Sequence, residues 1–195
     1  PVTDDDSARV RLKNVTNLLS LEQADWGISP TRWQWSLHPR EFQPKISVLH
    51  DGVDVDTCRP DAAATYTLPG GLTFRAGDEV VTYVARNFEP YRGFPTFMKA
   101  AARLLRSRPN LHIIAVGADE VSYGRKAPQG KTYRELWLEQ VDMPRERLHF
   151  VGRVEYVDLI RLFQVSAAHL YLTFPFVLSW SMLEAMATGV ALVAS

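Results

Sequence analysis

EVVTYVARNFEPYRGFPTFMKAAARLLRSRPNLHIIAVG, residues 79–117, decides the fold. VVTYVA is a short run of β-branched and aromatic residues, the composition of a strand buried on both faces. Phe94, Phe97, Met98, Ala101, Leu104 and Leu105 then recur at helical spacing, which puts them on one face of a helix. After the turn signal RPN comes a second apolar run, LHIIAVG. A strand, a helix and a strand in this order are joined by a crossover, and crossovers build parallel sheets.

The alternation continues downstream. KTYRELWLEQV reads as a helix, LHFVGR as a strand, EYVDLIRLFQVSA as a helix, HLYLTF as a strand, LSWSMLEAMAT as a helix and ALVAS as a strand. The expected fold class is α/β, a doubly wound parallel sheet covered on both faces. Ligands of such sheets bind outside the carboxyl ends of the strands, which directs attention to the loops 86–94, 117–131, 152–156 and 174–179. The chain stops at Ser195 directly on a strand, so the sequence reads as part of a longer protein.

Upstream the pattern differs. Residues 7–23 read as a helix, WGIS as a short strand, and KISVLH as another strand followed by a DGVD turn. Ser29 is expected to cap a short helix with Pro30 at its first position. Residues 59–78 are rich in Pro and Gly and read as an interdomain link or a small excursion.

Composition narrows the function classes. Twenty-two basic and 22 acidic side chains give no net charge, so the basic excess of a nucleic-acid binder is missing. The single cysteine, Cys58, excludes an internal disulfide. The longest apolar run, about residues 170–183, is interrupted by Pro175 and too short to span a bilayer. The location expected is cytoplasmic, with peripheral association at the inner face of a membrane left open.

Several motifs fail on spacing or context. GRKAPQGKT (124–132) resembles a phosphate-binding P-loop, but five residues separate Gly124 from Gly130 and no strand leads into it. No G-x-G-x-x-G follows a strand and no G-x-S-x-G is present. The histidines lack metal-ligand spacing, and His112, His149 and His169 fall at strand starts, away from the expected ligand edge. No metal and no cofactor are expected.

Arg86 ends a strand and Arg92 lies six residues on, so both are placed at the carboxyl edge. Two guanidiniums there suit a diphosphate, because each can form bidentate, charge-assisted bonds to phosphate oxygens. Ordinary surface arginines would show the same spacing. Arg153 repeats the strand-end placement. The helix after HLYLTF opens with unpaired amides able to meet a phosphate, and Glu184 stands one to two turns in, the single charge of the stretch 170–189. There a carboxylate can accept bonds from sugar hydroxyls.

Four stretches, in order and coherently spaced over about residues 25–195, carry a family resemblance: ISVLHDGVDVDTCRPD, VVTYVARNFEPYRGF, LHFVGRV and FPFVLSWSMLEAMATGVALVAS. The chain resembles retaining glycosyltransferases of the family 4 type, which have two facing Rossmann-like domains (the GT-B fold). The resemblance implies transfer of a sugar from a nucleotide-sugar to an acceptor hydroxyl with retention, in polysaccharide or glycoconjugate synthesis. It implies residues 1–58 as the tail of the acceptor-side domain, 59–78 as the interdomain link and 79–195 as the nucleotide-sugar-binding domain, cut short at its C-terminus. It implies Arg86 and Arg92 at the donor diphosphate, with Arg92 at the family's lysine position, and Glu184 on the nucleotide ribose. Arg153 and Val154 would line the base. Leu178, Ser179 and Trp180 would bring backbone amides to the donor. Phe176 stands where the family has its first glutamate, near the donor sugar. Val177 and Ser179 replace glycines, Ala85 replaces the glycine before Arg86, and Asp51 stands where asparagine is common. The implied partners are a nucleotide-sugar donor and a glycan or lipid-linked acceptor, with no nucleic acid. This stretch alone is expected to bind nucleotide and to transfer nothing. A binding module of the same descent, holding its ligand without turnover, is the alternative that Phe176 raises. A sugar-nucleotide epimerase is a third, without a carboxylate pair to support it.

Overall fold

The computed structural model describes residues 3–174 and 177–195, so Pro175 and Phe176 lie outside the described residues. The chain divides into two compact units, Pro1–Gly52 and Val53–Ser195.

In the first unit, helix α1 (Asp4–Gln23) begins three residues earlier than the apolar spacing predicts. Thr3 and Asp6 form a reciprocal capping box, and Asp4, Asp5 and Asp6 place negative charge at the positive end of the helix dipole. The apolar positions of α1 are exposed, Leu12 at 71% and Leu19 at 51%. Strand β1 (Gly27–Ser29) pairs in parallel with β2 (Ile46–Val48), and helix α2 (Arg32–Ser36) lies between them in sequence. The expected cap at Ser29 is wrong: Thr31 caps α2 through Gln34 N at 3.0 Å. Ser29 is committed to the ladder, its hydroxyl donating to Thr31 O.

The second unit holds the parallel sheet. Its five strands are β5 (Val80–Asn87), β6 (His112–Ala118), β7 (Leu148–Gly152), β8 (Ala168–Tyr171) and β9 (Ala191–Ala194). They lie in the order β7-β6-β5-β8-β9, all parallel, with β7 and β9 at the edges. Helices α3 (Phe94–Ser107), α4 (Tyr133–Gln140), α5 (Tyr156–Val165) and α6 (Trp180–Ala187) make the four crossovers. The strand order reverses between β5 and β8, which places the switch point of the sheet at their carboxyl ends.

Alternate residues of β5 face opposite cores. Val81 and Tyr83 pack with Phe94, Phe97, Met98, Ala101 and Leu105 of α3. The Tyr83 and Phe97 rings stack at 4.1 Å. On the other side Val80 and Val84 meet α5 and the stretch from 64 to 74. That stretch lies within the turn-rich segment 59–78 and forms a hairpin of β3 (Thr65–Thr67) and β4 (Thr73–Arg75). Ala64, Tyr66, Leu68 and Phe74 are buried in the same cluster as Leu162 and Val165, so the segment packs as an excursion of the second unit.

The histidines at the strand starts sit within this packing. His169 is fully buried, with Nδ1 3.0 Å from Thr82 Oγ1 and its ring edge-on to Phe163. Burial lowers its pKa to about 4. His112 Nδ1 and His149 Nε2 lie 2.9 Å apart with the rings stacked, and burial lowers both, aided at His112 by the positive charge of Arg147. The unfolded chain binds protons at these sites at about pH 6.5, so it holds more protons than the native state below that value. Stability is therefore complete above about pH 6.5 and falls as the pH drops toward 4. Below both values His169 alone costs up to about 3 kcal/mol. Urea titrations at pH 7 and pH 5 should show the midpoint falling, and His169→Asn should remove much of that fall; an equal fall in the variant would contradict the assignment.

Candidate functional site

The carboxyl ends of β5, β6 and β7 open onto a cleft of about 630 Å³. It is lined by Arg86 and Asn87 from β5, Gly117 at the end of β6, Glu120 and Ser122 from the loop that follows, and Arg153 beyond β7, with Val154 beside it. Three of the sequence-predicted residues, Arg86, Arg153 and Val154, thus converge here. Both guanidiniums are exposed, and Arg153 meets Glu120 at 2.8 Å. Gly117 is required for this approach, because a Cβ there would collide with the Ala85 carbonyl oxygen.

Arg92 stands apart from that lining. Its backbone oxygen accepts from the Tyr83 hydroxyl at 2.6 Å, and its half-buried guanidinium lies over the Tyr123 ring at 5.3 Å. The turn that carries it ends at Gly93, whose φ of 66° is left-handed. A Cβ on Gly93 would collide with Leu172, just past β8. The Tyr91 carbonyl oxygen accepts from Phe174 N at 3.1 Å and from Thr173 Oγ1 at 3.2 Å. The β5–α3 turn is therefore joined to residues 172–174, just past β8, at the switch point, where a ligand of such a sheet would lie.

Leu178, Ser179 and Trp180 lead into α6 and do not line the cleft. Ser179 occupies the cap position, with its hydroxyl 2.9 Å from that of Ser181. Trp180 is 68% exposed. Phe176 falls outside the described residues. Glu184 is half-buried in α6, and burial pushes its carboxyl above the usual glutamate value while the Tyr156 hydroxyl pulls the other way. Tyr156 opens α5 and reaches Cys58 Sγ at 3.4 Å. Its phenol is pushed up by the Cys58 contact first, then by burial and by the charge of Glu184. Cys58, Ile160, Phe163 and Ala185 form one buried cluster, so the position of Glu184 is set by the packing of α5 on α6.

A second cleft, of about 810 Å³, lies between the β3–β4 hairpin, the end of β7 and α5. It shares Arg153 and Val154 with the first, but it lies on the flank of the sheet, away from Arg86. The smaller cleft opens at the carboxyl ends of the strands, the edge where ligands of such sheets bind, and is favoured as the ligand site on that ground.

Sequence reasoning pointed to the loops 86–94 and 117–131 but singled out neither Glu89 nor Asn87, and did not foresee that they hold residues 122–124. Glu89 is fully buried, and its carboxylate accepts from three consecutive amides, Ser122 N at 3.3 Å and Tyr123 N and Gly124 N at 3.1 Å each. Asn87 Nδ2 donates to Ser122 Oγ at 2.6 Å. The available signal was an acid two residues beyond a buried strand, amid apolar neighbours. Among the described residues no group of three or more His, Cys, Asp or Glu side chains is placed to hold a metal ion, and no helix is long and apolar enough to cross a membrane.

Two family models cover most of the chain. Glycosyl transferases group 1 matches residues 78–195, more than half of it, and Glycosyl transferase family 4 group matches residues 1–58. The chain belongs to the glycosyl transferases group 1 family. No curated protein matches it in sequence. Among solved structures it is similar to HepE of Anabaena in complex with UDP-glucose, at 16% identity and a TM-score of 0.67, over 99% of this chain and 50% of that one. It is similar also to the sucrose-phosphate synthase of Thermosynechococcus elongatus, at 21% identity and a TM-score of 0.65, over 89% and 41%. A third is the pneumococcal O-GlcNAc transferase GtfA in complex with UDP and GlcNAc, at 16% identity and a TM-score of 0.61, over 90% and 31%. These likenesses establish the shared α/β fold. The chain spans half or less of the length of each of these three structures.

The contact of Gly93 with Leu172 gives a direct expectation. Gly93→Ala combines a left-handed backbone with a clash against Leu172, and should cost about 2–4 kcal/mol. A thermal melt of the variant within a degree of the wild type would show that the turn and Leu172 are not rigidly coupled.

Proposed function

We propose that this chain forms the nucleotide-sugar-binding part of a glycosyltransferase that moves a sugar to an acceptor hydroxyl with retention of anomeric configuration, in polysaccharide or glycoconjugate synthesis. The observation that carries the reading is the convergence of Arg86, Arg153 and Val154 on one cleft at the carboxyl edge of the sheet, in a chain whose family is glycosyl transferases group 1. HepE and GtfA, of the same fold, were solved with UDP-glucose and with UDP and GlcNAc, which supports a nucleotide-sugar as the donor.

In this mechanism Arg86, which lines the cleft, binds the diphosphate, joined by Arg92, which stands apart from that lining and turns from the Tyr123 ring to reach it. Negative charge grows on the diphosphate as the sugar leaves, and the guanidiniums stabilise it. The first amides of α6, which begins at Trp180 after Leu178 and Ser179, add the positive end of a helix dipole. Arg153 and Val154 line the base. Glu184 accepts the ribose hydroxyls, a role that needs its ionised form. Phe176, outside the described residues, is assigned to the donor sugar by the family resemblance alone. No step in this scheme calls for a metal. The acceptor is a glycan or a lipid-linked hydroxyl, and the protein works in the cytoplasm or at the inner face of the membrane. The alternative is a module that holds the nucleotide-sugar without turnover, and the observation that favours it is Phe176 in place of an acid.

A thermal-shift panel with UDP, GDP, ADP, CMP and dTDP tests the site. A nucleotide at about 100 times its dissociation constant should add about 2.7 kcal/mol, a rise of several degrees at this size. Glu184→Ala should abolish the shift, and a flat wild-type panel with a cooperative melt would overturn the donor-site reading. The pH dependence is a second test. Burial raises the Glu184 carboxyl, so affinity should start to fall at a higher pH than an exposed glutamate, near 4.3 in peptides, would give. Glu184→Gln should bind more weakly with a flatter profile. A wild-type profile level down to the ordinary glutamate range would contradict the role.

A further inference from the structure

We propose that Glu89 is a positioning residue for the nucleotide cleft: its buried carboxylate holds the loop 118–124 in the conformation that lines the cleft, without touching the nucleotide. The inference rests on the donor-site reading above and adds to it a residue remote from the ligand.

Burying a carboxylate is costly unless hydrogen bonds replace its water. Glu89 has no exposed surface, and the replacement comes from one loop. Three consecutive amides, those of Ser122, Tyr123 and Gly124, point at one carboxyl group. Successive backbone N–H groups converging on an anion form a nest, and here the anion is built into the fold. The bonds are charge-assisted, hence stronger than bonds between neutral groups. They join residues 33 to 35 positions apart in sequence.

The loop's other anchors are peripheral. Glu120, Ser122 and Tyr123 are exposed. Phe88 N donates to Ala118 O at 2.8 Å and Asn87 to the Ser122 hydroxyl. Asp119 meets Arg134, Glu120 meets Arg153, and the Tyr123 ring lies under Arg92. The first of these bonds fixes only the start of the loop, the partly buried Asp119–Arg134 pair holds its first half, the second bond holds one side chain, and the Glu120–Arg153 pair runs between exposed side chains, where such pairs hold weakly. Gly124 lies so close to the turn that a Cβ there would stand 3.4 Å from the Tyr91 ring and 3.5 Å from Glu89 Oε2. The same loop supplies Glu120, Val121 and Ser122 to the cleft wall, beside Arg86 and Arg153. A wall made of such a loop keeps its shape only while something fixes its backbone, and the Glu89 carboxylate does so.

The two oxygens divide the work. Oε1 takes Ser122 N, and Oε2 takes Tyr123 N and Gly124 N. In Glu89→Gln one oxygen becomes an NH2 group, which opposes at least one amide and leaves the others partly satisfied. Glu89→Ala removes all three acceptor contacts. Loop order is thus expected to fall in steps, from wild type to Gln to Ala.

The experiment measures two quantities on the 195-residue chain: hydrogen exchange at the amides of residues 122–124, and dissociation constants for UDP, GDP, ADP, CMP and dTDP. The expected result is stepwise loss of protection. Affinity for the bound nucleotide should weaken about threefold in Glu89→Gln and about tenfold in Glu89→Ala, the latter matching a loop in its cleft-lining form about a tenth of the time. Leu105→Ala, a core change away from the cleft, should lower the melt and leave the dissociation constant alone. Should Glu89→Ala fail to fold, Glu89→Gln alone decides the outcome. Unchanged protection in Glu89→Gln would overturn the proposal, as would lost protection with unchanged affinity. If protection depends on Glu89 but the wild type binds none of the five nucleotides, the donor-site reading has failed and the positioning role falls with it, while the carboxylate–loop contact stands.

Discussion

Burial of β5 on both faces fixes the geometry of the second unit. Val81 and Tyr83 are held by α3, Val80 and Val84 by α5 and the hairpin, so the strand can neither slide nor rotate without opening a core. A one-residue slip would exchange its two faces and put Thr82, paired with His169, among the rings of α3. What emerges at the carboxyl end is therefore placed by the packing beneath it rather than by the loop itself. Arg86, Asn87, Glu89 and Arg92 lie within seven residues at the end of this one strand, and their surroundings differ. Arg86 lines the cleft, Asn87 holds the Ser122 hydroxyl, Glu89 gathers three amides, and Arg92 sits in the turn that meets Leu172.

The site is thus made from a rigid edge and an adaptable one. On the rigid side, Gly93 meets Leu172, and Tyr91 is bonded to residues 173 and 174. On the adaptable side, loop 118–124 contributes exposed residues held mainly through backbone. Glu184 belongs to neither. It rides on α6, steered by Tyr156 and by the small buried cluster around Cys58. A cleft edge composed in this way anchors its backbone firmly on one side while leaving one wall open to variation in sequence.

Much of this was legible beforehand. The α3 face could be read residue by residue, because burial on one side of a helix leaves a 3.6-residue period. The parallel sheet followed from the alternation of strands and helices, Arg86 and Arg153 from their places at strand ends, and Val154 from the family resemblance alone. The hairpin at 65–75 was hidden by Pro69, Gly70, Gly71 and Gly77, whose turn signals mask two three-residue strands. The cap at Thr31 was missed because Ser29 followed by Pro30 satisfies the same rule two residues earlier. The contact of Glu89 with residues 122–124 has no local signature at all: side chain to backbone bonds across a sheet edge depend on tertiary register. The pairing of His112 with His149 is hidden for the same reason.

The position of β9 carries a consequence for the behaviour of the chain in solution. As an edge strand it is paired with β8 on one side only, and Val193 is 53% exposed. Short, uncharged and without proline, Ala191–Ala194 has neither the charge nor the proline that ordinarily deters strand addition. Its outer row of amides and carbonyls is a template onto which a further strand can be laid. At 4 residues the row is short, and that shortness, rather than charge or proline, is what limits the number of ladder bonds a further strand could gain there.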